Sequence, residues 1–333
     1  MKHDLSVVLG VLVKEDMVLI SRRKRRDGLG GEWELPGGRK ESGETNFDTL
    51  RRELKEEIGI SGLSARPLIN VTKKIEDGFL RLDVFEVLNW SGSPEGREGQ
   101  ETKWISKDAI FGYSFPAFNT SINTAITLPT LVFVTPPLLN GVDEYIERIL
   151  RIAKSGVKLI QLRPHIADNK KIEKIAVRLD AQLRTMGVIL MLNGKVSHFN
   201  SSLFRGLHLS RSEASKFAER PISKSHLLST SCHDVAELDH ALSIGVDFVY
   251  LSPIKRTKTH PDRSPLGWGG IQDMVERSSV PVFALGGLSH LDVVSARQIG
   301  CQGIAVQSSL WHCADREEYL REVDRSLPYL DYI

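Results

Sequence analysis

The chain has 333 residues, more than one hydrophobic core usually serves, so we expect two domains. Hydrophobic residues make up 41% of the chain and charged residues 26%, which excludes a collagen-like, disordered or membrane-embedded protein. The net charge of +2 gives no general attraction to nucleic-acid polymers, so none is expected as a partner.

Cysteine usage and the N-terminal segment indicate a cytoplasmic protein. The three cysteines lie far apart and form no CxxC pair, so neither a disulfide framework nor a zinc site is expected. They are Cys232, Cys301 and Cys313. The apolar stretch near the N-terminus is interrupted by charge and is too short for a signal peptide or a membrane span. We therefore expect a cytoplasmic location and no membrane partner.

The N-terminal part of the chain predicts strands around at least one helix. Residues 5–13 and 17–21 are β-branched and leucine-rich runs that flank three polar residues, which predicts a hairpin. Residues 46–58 carry apolar side chains at helical spacing and are followed by Gly59, which predicts a helix that ends there. The run 80–88 is typical of a strand.

A dense basic cluster follows the predicted hairpin and consists of Arg22, Arg23, Lys24, Arg25 and Arg26. Such a cluster binds phosphate groups in some proteins and is simply a solvated loop in others. The cluster alone leaves both interpretations open.

The chain changes character after the segment 119–130, which is rich in Asn and Thr and contains Pro129. We therefore predict domains over residues 1–125 and 130–333. Eight short apolar runs alternate with helical patterns in the second domain: LVFV from 131, VKLIQL from 157, VILML from 188, GLHL from 206, HLLS from 226, FVYLS from 248, VPVFAL from 280 and GIAVQ from 303. Eight buried strands joined by helix-length segments predict a (β/α)₈ barrel, with an open doubly wound sheet as the alternative.

The segment 30–60 carries the chemistry. Glu53, Glu56 and Glu57 are three and four residues apart, so their carboxylates project from one helix face and repel one another unless a cation lies between them. Oxygen ligands favour Mg²⁺, with Mn²⁺ as the alternative. A solvated acidic helix is the competing interpretation, with Arg52 paired to Glu56. Arg52 is also placed to pair with Glu44.

Nine residues of this segment follow the pattern G-x5-E-x7-R-E-U-x-E-E-x-G-U, where U is a bulky aliphatic residue: Gly38, Glu44, Arg52, Glu53, Leu54, Glu56, Glu57, Gly59 and Ile60. The region 1–125 therefore resembles the Nudix hydrolases, and among them the MutT-type 8-oxo-dGTP diphosphatases. The resemblance implies an α/β/α sandwich and metal-assisted attack of water on phosphorus, which releases a nucleoside monophosphate and pyrophosphate. It makes the three glutamates of the helix and the Gly38 carbonyl metal ligands, and makes Glu53 the residue that orients or deprotonates water.

The resemblance extends to two segments beyond the box. The stretch REGQETKW (97–104) is similar to one that supplies a distal acidic metal ligand, which implies Glu98, with Glu101 as a competitor. The stretch FPAFN (115–119) is similar to one whose asparagine recognises oxidised guanine, which implies Asn119, although such an asparagine is usually a turn residue.

Two further positions bear on the nucleotide. Arg23 matches a family position near the nucleotide, which favours the phosphate-binding interpretation of the basic cluster. Leu35 and Gly28 stand where MutT proteins can carry larger side chains that face the substrate, so these two positions depart from the family pattern and leave the base specificity open.

Residues 130–333 resemble thiamine-phosphate synthase and the related thiazole tautomerases, which are (β/α)₈ barrels. The segments that carry the resemblance are IQLR (160–163), LHLS (207–210), TSCHD (230–234), GVDFVYLSPIKRTKTHP (245–261), VFALGG (282–287) and GIAVQSSL (303–310). Gly286, Gly287, Gln307 and Ser308 follow the seventh and eighth strands, where such barrels commonly bind phosphate through backbone N–H groups. The barrel partner implied is a thiamine-related phosphate.

The second resemblance is incomplete at the residues that carry charge. Both acidic metal ligands of the synthase are missing, since Asn193 is followed by Gly194 and LHLS by Arg211 and Ser212. Arg163 is retained. Synthase activity is therefore in doubt, because a diphosphate leaving group would lack electrostatic stabilisation.

Three histidines of the barrel also bear on its chemistry. His165 and His260 replace lysines expected in the synthase. His233 matches a proton-transferring histidine of the tautomerases, with a structural strand-end histidine as the alternative.

Three hypotheses follow. In the first, the protein is a Mg²⁺-dependent diphosphatase that hydrolyses a nucleoside triphosphate such as 8-oxo-dGTP, and so serves DNA replication and repair. In the second, the Nudix region hydrolyses thiamine-type or pyrimidine diphosphates and both domains serve thiamine biosynthesis. In the third, the barrel is a binding or assembly module without catalysis.

Overall fold

The computed structural model describes residues 4–22, 31–76, 78–139, 141–166, 168–257, 264–325 and 330–331. The chain divides into two compact units, and the division after Thr127 falls inside the segment 119–130 where the boundary is predicted. Within the described residues, no helix is both long enough and apolar enough to span a bilayer.

The first unit is a sheet with two helices. Its strands are β1 (Leu5–Lys14), β2 (Met17–Arg22), β3 (Trp33–Glu34), β4 (Gly37–Arg39), β5 (Ser61–Ile75), β6 (Gly78–Ser91) and β7 (Thr102–Ser106), and its helices are α1 (Asn46–Ile58) and α2 (Thr120–Thr127). The predicted hairpin is present as β1 and β2, with Val13 opposite Val18. The predicted helix is α1, with the bounds that the sequence indicates.

The sheet is mixed. Strands β5, β6, β1, β2 and β3 lie side by side in that order, β4 also pairs with β1, and β7 pairs with β2. Strands β1 and β6 are parallel, with Val8 opposite Asp83, whereas β1 and β4 are antiparallel, with Val8 opposite Gly38. The central strand β1 therefore connects β4, which contains Gly37 and Gly38, to the rest of the sheet.

Two separate apolar cores lie on the two faces of this sheet. One contains Val8 and Leu12 of β1 together with Leu50 and Leu54 of α1. The other contains Val11 of β1 and the buried side chains of α2. Side chains of a strand alternate between faces, so the two clusters place α1 and α2 on opposite sides. The predicted α/β/α sandwich is confirmed.

The second unit contains eight short strands: β8 (Leu131–Val134), β9 (Leu159–Leu162), β10 (Ile189–Asn193), β11 (Gly206–Leu209), β12 (Leu227–Cys232), β13 (Phe248–Leu251), β14 (Val282–Leu285) and β15 (Gly303–Val306). Its helices are α3 (Val142–Lys154), α4 (Asn169–Thr185), α5 (Arg211–Ala214), α6 (Val235–Ser243), α7 (Gly267–Arg277), α8 (Val293–Gln298), α9 (Ser308–Trp311) and α10 (Arg316–Arg325). Each strand overlaps one of the eight predicted runs, and β10 and β12 extend beyond the carboxyl ends of theirs.

These strands are all parallel and close into a barrel, because β15 pairs with β8 as well as with β14. Closure confirms the (β/α)₈ prediction and excludes the open, doubly wound sheet. The barrel core includes Met191, Phe248, Tyr250 and Phe283. In such a barrel the residues after the carboxyl ends of the strands gather at one rim, where ligands bind.

The end of the chain departs from the predicted domain organisation. We predict residues 130–333 as one domain, but the short strand β16 (Leu330–Asp331) belongs to the first unit, where Leu330 lies opposite Ala65 of β5. A strand of two residues has no periodicity, so the sequence carries no signal for it.

Candidate functional site

The predicted metal ligands lie on one face of α1, whose opposite face is packed against the sheet. The helix begins with a capping box, in which the Thr45 hydroxyl accepts a hydrogen bond from the Asp48 N–H and the Asp48 carboxylate accepts one from the Thr45 N–H. It ends at Gly59, which has a left-handed φ of 74°. Leu50 and Leu54 are fully buried. Both ends and the apolar face are thus fixed, and this fixes the direction of the acidic face.

Arg52 and Glu44 form the ion pair that their spacing predicts. Arg52 Nε lies 2.7 Å from Glu44 Oε1, and Arg52 Nη2 lies 3.1 Å from Glu44 Oε2. Hydrogen bonding to Arg52 lowers the pKa of Glu44 to about 2. Arg52 Nη1 also lies 2.8 Å from Glu53 Oε1. Arg52 therefore orients Glu53 while Glu44 holds Arg52.

Glu57 lies near three other carboxylates. Burial raises the pKa of its carboxyl to about 7, against a hydrogen bond of 2.9 Å from the Gly37 N–H that lowers it. The nearby carboxylates of Glu34, Glu53 and Glu98 raise the pKa further. A cation would relieve this repulsion and replace the proton on Glu57.

Gly38 lies directly against Glu53. A Cβ atom at position 38 would overlap the Glu53 carboxylate, so only glycine allows the strand and this side chain to approach so closely. The arrangement brings the Gly38 backbone beside Glu53.

The residues fit a hard divalent cation in their chemistry, because all the side chains concerned are carboxylates and Arg52 is the one cation described beside them. Glu53, Glu57 and the Gly38 carbonyl are the groups that would hold it, with Glu56 at the exposed edge. Among the described residues no three acidic, histidine or cysteine side chains already form a metal-binding cluster.

The structure separates the two candidates for the distal acid. Glu98 is close enough to Glu57 to raise its pKa, whereas Glu101 forms an ion pair of 3.3 Å with Arg22. Gln100 holds the loop in place, since it donates to the Glu57 carbonyl at 2.9 Å and accepts from the Glu98 N–H at 2.8 Å. This geometry favours Glu98.

Glu34 also belongs to this cluster, although no motif in the sequence identifies it. It lies in β3, three residues before Gly37, whose N–H donates a hydrogen bond to Glu57, and its carboxylate is near Glu57. Its position just before the Pro-Gly-Gly loop is the signal that could have identified it, because that loop folds back onto α1.

Asn119 ends a 3-10 turn and is only 2% exposed. Around this turn Trp33, Tyr113 and Phe118 are partly buried against the core, and the Trp33 and Tyr113 rings meet edge-on at 5.6 Å. Leu35 is buried in the same core. Arg23, Gly28 and most of the basic cluster lie outside the described residues.

A cavity of about 750 Å³ opens at the carboxyl ends of the barrel strands. All five residues predicted as barrel ligands line it: Arg163, Asn193, His233, Gly287 and Ser308. Its volume lies within the range of small-molecule sites. His260 lies outside the described residues, and His165 is not among the lining residues.

His233 is held by an acidic partner. Its Nδ1 lies 2.8 Å from Glu237 Oε2, and its backbone N–H donates to the same oxygen at 2.9 Å. Glu237 Oε1 lies 2.8 Å from Arg211 Nε. Glu237 therefore orients both an imidazole and a guanidinium that line the cavity. Glu237, one helical turn after His233, is a functional residue that the sequence motifs do not identify.

The floor of the cavity is polar and uncharged. Asn193 Nδ2 donates to Gln161 Oε1 at 2.7 Å. His208 bonds the hydroxyls of Ser229 at 3.0 Å and Ser231 at 3.1 Å, and burial together with the charge of Arg163 lowers the pKa of His208 to about 3. His208 is therefore neutral at physiological pH. This network could not be predicted from local sequence patterns, because its members come from four strands.

The loop after β14 packs tightly at the rim. Gly287 has a left-handed φ of 71°, and a Cβ there would come within 2.9 Å of the Arg256 carbonyl. Lys255 Nζ lies 2.6 Å from Asp292 Oδ1 and joins this loop to the one after β13.

Two family models match the chain. The one described as Thiamine monophosphate synthase matches residues 131–310, and the one described as NUDIX domain matches residues 3–122. The thiamine-phosphate synthase of Psychrobacter sp. (strain PRwf-1) is 29% identical over 195 residues, which is 57% of this chain and 91% of that protein. Some relatives of that name are longer, and this chain spans 55% to 57% of their length.

Solved structures match each unit separately. A thiamine phosphate pyrophosphorylase from Pyrococcus furiosus is 20% identical with a TM-score of 0.50, over 64% of this chain and 100% of that one. A MutT structure from work on Aliivibrio salmonicida and Vibrio cholerae is 29% identical with a TM-score of 0.34, over 37% of this chain and 97% of that one. The first match shows the fold of the barrel.

Proposed function

Because the chain belongs to the thiamine monophosphate synthase family and carries a NUDIX domain before its barrel, we propose that its first unit is a Mg²⁺-dependent nucleoside triphosphate diphosphatase. Its best substrate would be 8-oxo-dGTP, cut to 8-oxo-dGMP and pyrophosphate. In this role the enzyme would clear oxidised nucleotides from the cytoplasmic pool before DNA replication, and thus serve DNA repair.

The observation that carries this proposal is the accumulation of carboxylates around Glu57. Its raised pKa, caused by burial and by nearby Glu34, Glu53 and Glu98, describes a site short of positive charge. Bound Mg²⁺, or Mn²⁺ in its place, would supply that charge, neutralise phosphate oxygens and lower the pKa of a water molecule. Glu53, Glu56, Glu57, Glu98 and the Gly38 carbonyl are the proposed ligands.

The protein's own residues would perform the remaining steps. Glu53 would accept the proton of the attacking water, since Arg52 orients its carboxylate. Glu44 would keep Arg52 in place through the ion pair described above. Arg23 would bind the nucleotide, and the Asn119 amide, which both donates and accepts, would distinguish an oxidised purine edge.

The test is a comparison of kcat/KM for 8-oxo-dGTP, dGTP and thiamine diphosphate with Mg²⁺ and the full-length protein. The proposal expects strong preference for 8-oxo-dGTP, with monophosphate and pyrophosphate as products. Asn119→Ala should reduce the ratio of 8-oxo-dGTP to dGTP by roughly tenfold or more, because a buried polar contact to the base would be lost. An unchanged ratio would show that Asn119 does not contact the base.

A second candidate function rests on the family of the barrel. The barrel belongs to the thiamine monophosphate synthase family. A hydrolase of thiamine-type or pyrimidine diphosphates in the same chain would therefore serve the same metabolism. Preference for thiamine diphosphate in the same assay, together with indifference to Asn119→Ala, would favour this function over the first.

A further inference from the structure

A groove of about 650 Å³ runs along α1 in the first unit, on a different side of the helix from Glu53. Arg51 and Lys55 lie in the groove, and each is two residues from Glu53. Residues two apart on a helix project in nearly opposite directions, so the groove is distinct from the proposed metal site. Its lining residues are Asp48, Arg51, Arg52, Lys55, Glu56, Ser61, Gly62 and Arg97.

Both acidic residues of the groove are already engaged. The Asp48 carboxylate accepts hydrogen bonds from the N–H and the hydroxyl of Thr45, at 3.1 Å and 2.6 Å. Glu56 Oε2 lies 3.3 Å from Arg52 Nη1. Within the described part of the chain, three cations of the groove form no ion pair with an acidic side chain: Arg51, Lys55 and Arg97. The groove therefore presents positive charge to a ligand.

Arg97 is held in the groove by the loop that follows β6. Its N–H donates to the Glu57 carbonyl at 2.8 Å, and the Gln100 side chain donates to the same oxygen at 2.9 Å. The Arg97 guanidinium lies against Gly59, where a Cβ atom at position 59 would overlap it. The loop is thus fixed to the end of α1, and it brings Arg97 into the same groove as Lys55.

The three cations repel one another. Arg51 and Lys55 are four residues apart on α1, so their side chains are neighbours on the helix surface, and Arg97 enters from a separate segment. A bound anion would relieve this repulsion, just as a cation would relieve the repulsion among the glutamates. No aromatic or aliphatic residue is among the described lining residues, so the groove offers little apolar surface for a base or a ring.

We propose that this groove binds a small inorganic oligophosphate, such as pyrophosphate or tripolyphosphate, through Arg51, Lys55 and Arg97. Guanidinium and ammonium groups are strong donors to phosphate oxygens, and the Ser61 hydroxyl adds a further donor. The net charge of +2 gives the chain no general attraction to a nucleic-acid backbone, which favours the small anion. The site needs no metal ion and does not depend on the hydrolase proposed for the first unit.

The test follows hydrogen exchange of the full chain in EDTA while inorganic tripolyphosphate is added. EDTA removes divalent cations, so the glutamate cluster carries only its own negative charge and repels the anion. Protection should appear in peptides from the second half of α1 and from residues 93–100. Each peptide measures its own region, so an anion bound in the barrel would be detected separately. The concentration that gives half of the protection measures the affinity of the groove.

Lys55→Gln and Arg97→Gln should each raise this concentration about fivefold, which corresponds to the loss of one exposed charge pair. Both side chains are exposed, so neither change should disturb the fold. The matched control is Lys74→Gln, which removes the same charge at the other end of β5 from Ser61. Because this position lies many Debye lengths from the groove along the strand, the concentration should change less than about twofold.

Three results would overturn the proposal. In the first, tripolyphosphate protects neither α1 nor residues 93–100. In the second, Lys55→Gln and Arg97→Gln both respond like the unmodified chain. In the third, a short oligodeoxynucleotide protects the same peptides at a lower concentration of phosphate groups, which would assign the groove to a nucleic-acid backbone.

Discussion

Glu53 is the residue on which hydrolysis by the first unit should depend most. Its carboxylate is held by Arg52 at 2.8 Å and lies beside Gly38. Glu53→Gln keeps the size of the side chain and removes its charge and basicity. We expect kcat to fall by about 10²-fold or more, the usual contribution of a positioned general base, with an unchanged circular dichroism spectrum. Normal turnover would contradict the role proposed for Glu53.

A matched control for this variant is Glu101→Gln. Glu101 is also a glutamate of the first unit, but it pairs with Arg22 at the surface. An exposed ion pair contributes little, so this change should leave kcat within about twofold. A comparable loss in both variants would indicate a general electrostatic effect instead of a specific base.

His208 should make the barrel sensitive to acid. The folded state lowers the pKa of His208 to about 3, and an unfolded histidine titrates near its ordinary value of 6.5. Between these values the unfolded state binds more protons, so the stability is complete above about pH 6.5 and is lost as the pH falls toward 3. From pH 7 to pH 5 the loss should be on the order of 2 kcal/mol.

To measure this loss of stability, the protein is equilibrated in urea at several pH values. Each sample then receives a short hydrogen-exchange pulse at one common pH, and exchange is followed in peptides of β11 to β13. His208→Gln should flatten the dependence on pH, while His226→Gln, at a less buried histidine, should not. Equal slopes for wild type and His208→Gln would rule out His208 as the source.

At the scale of single residues, the sequence identifies side chains whose spacing is local. Glu53, Glu56 and Glu57 follow from helical periodicity, and Glu44 from the position of Arg52. It does not identify Glu34 or Glu237, because their roles depend on how distant segments meet in the fold.

At the scale of the elements, strand β4 lies very close to helix α1, and this close approach shapes the hydrolase site. Gly38→Ala would place a methyl group on the Glu53 carboxylate. The carboxylate is the end of a flexible side chain, so we expect a loss of stability under about 1 kcal/mol but a fall in kcat of roughly tenfold or more. Enzyme assays and urea titrations on the same preparation would measure the fall in kcat and the loss of stability separately.

Gly112→Ala is the control for the glycine change. An added Cβ at Gly112 meets nothing within 4 Å, so both kcat and stability should remain near wild type. If Gly38→Ala behaved in the same way, the contact between β4 and Glu53 would have no influence on catalysis.

The elements themselves were predicted where the signal is local. The bounds of α1 follow from its capping residues and Gly59, and the eight barrel strands follow from short apolar runs. The long strand β5 was not predicted, because its pairing with β6 has register shifts that break the alternation of side chains. Closure of the barrel also required the structure, since periodicity is the same in an open sheet.

At the scale of the whole molecule, the first unit is built from two separate parts of the chain, the N-terminal region and the short strand β16. The chain leaves the first unit after Thr127, forms the barrel, and returns at β16 to pair with β5. The last strand is therefore part of a unit whose other strands all lie in the first third of the sequence. A hydrolase domain cut after Thr127 would lack it.

Deletion of residues 330–333 in the full chain tests this connection. The deletion removes the backbone pairs of Leu330 with Ala65 and of Asp331 with Ser64, so the first unit should lose on the order of 1 kcal/mol of stability. The barrel should lose none, because its eight strands close on themselves. Pulse hydrogen exchange in urea would measure the stability of the first unit at β5 and that of the barrel at β12. Deletion of residues 332–333 alone is the control. Equal destabilisation of both units, or of neither, would mean that β16 does not stabilise the first unit specifically.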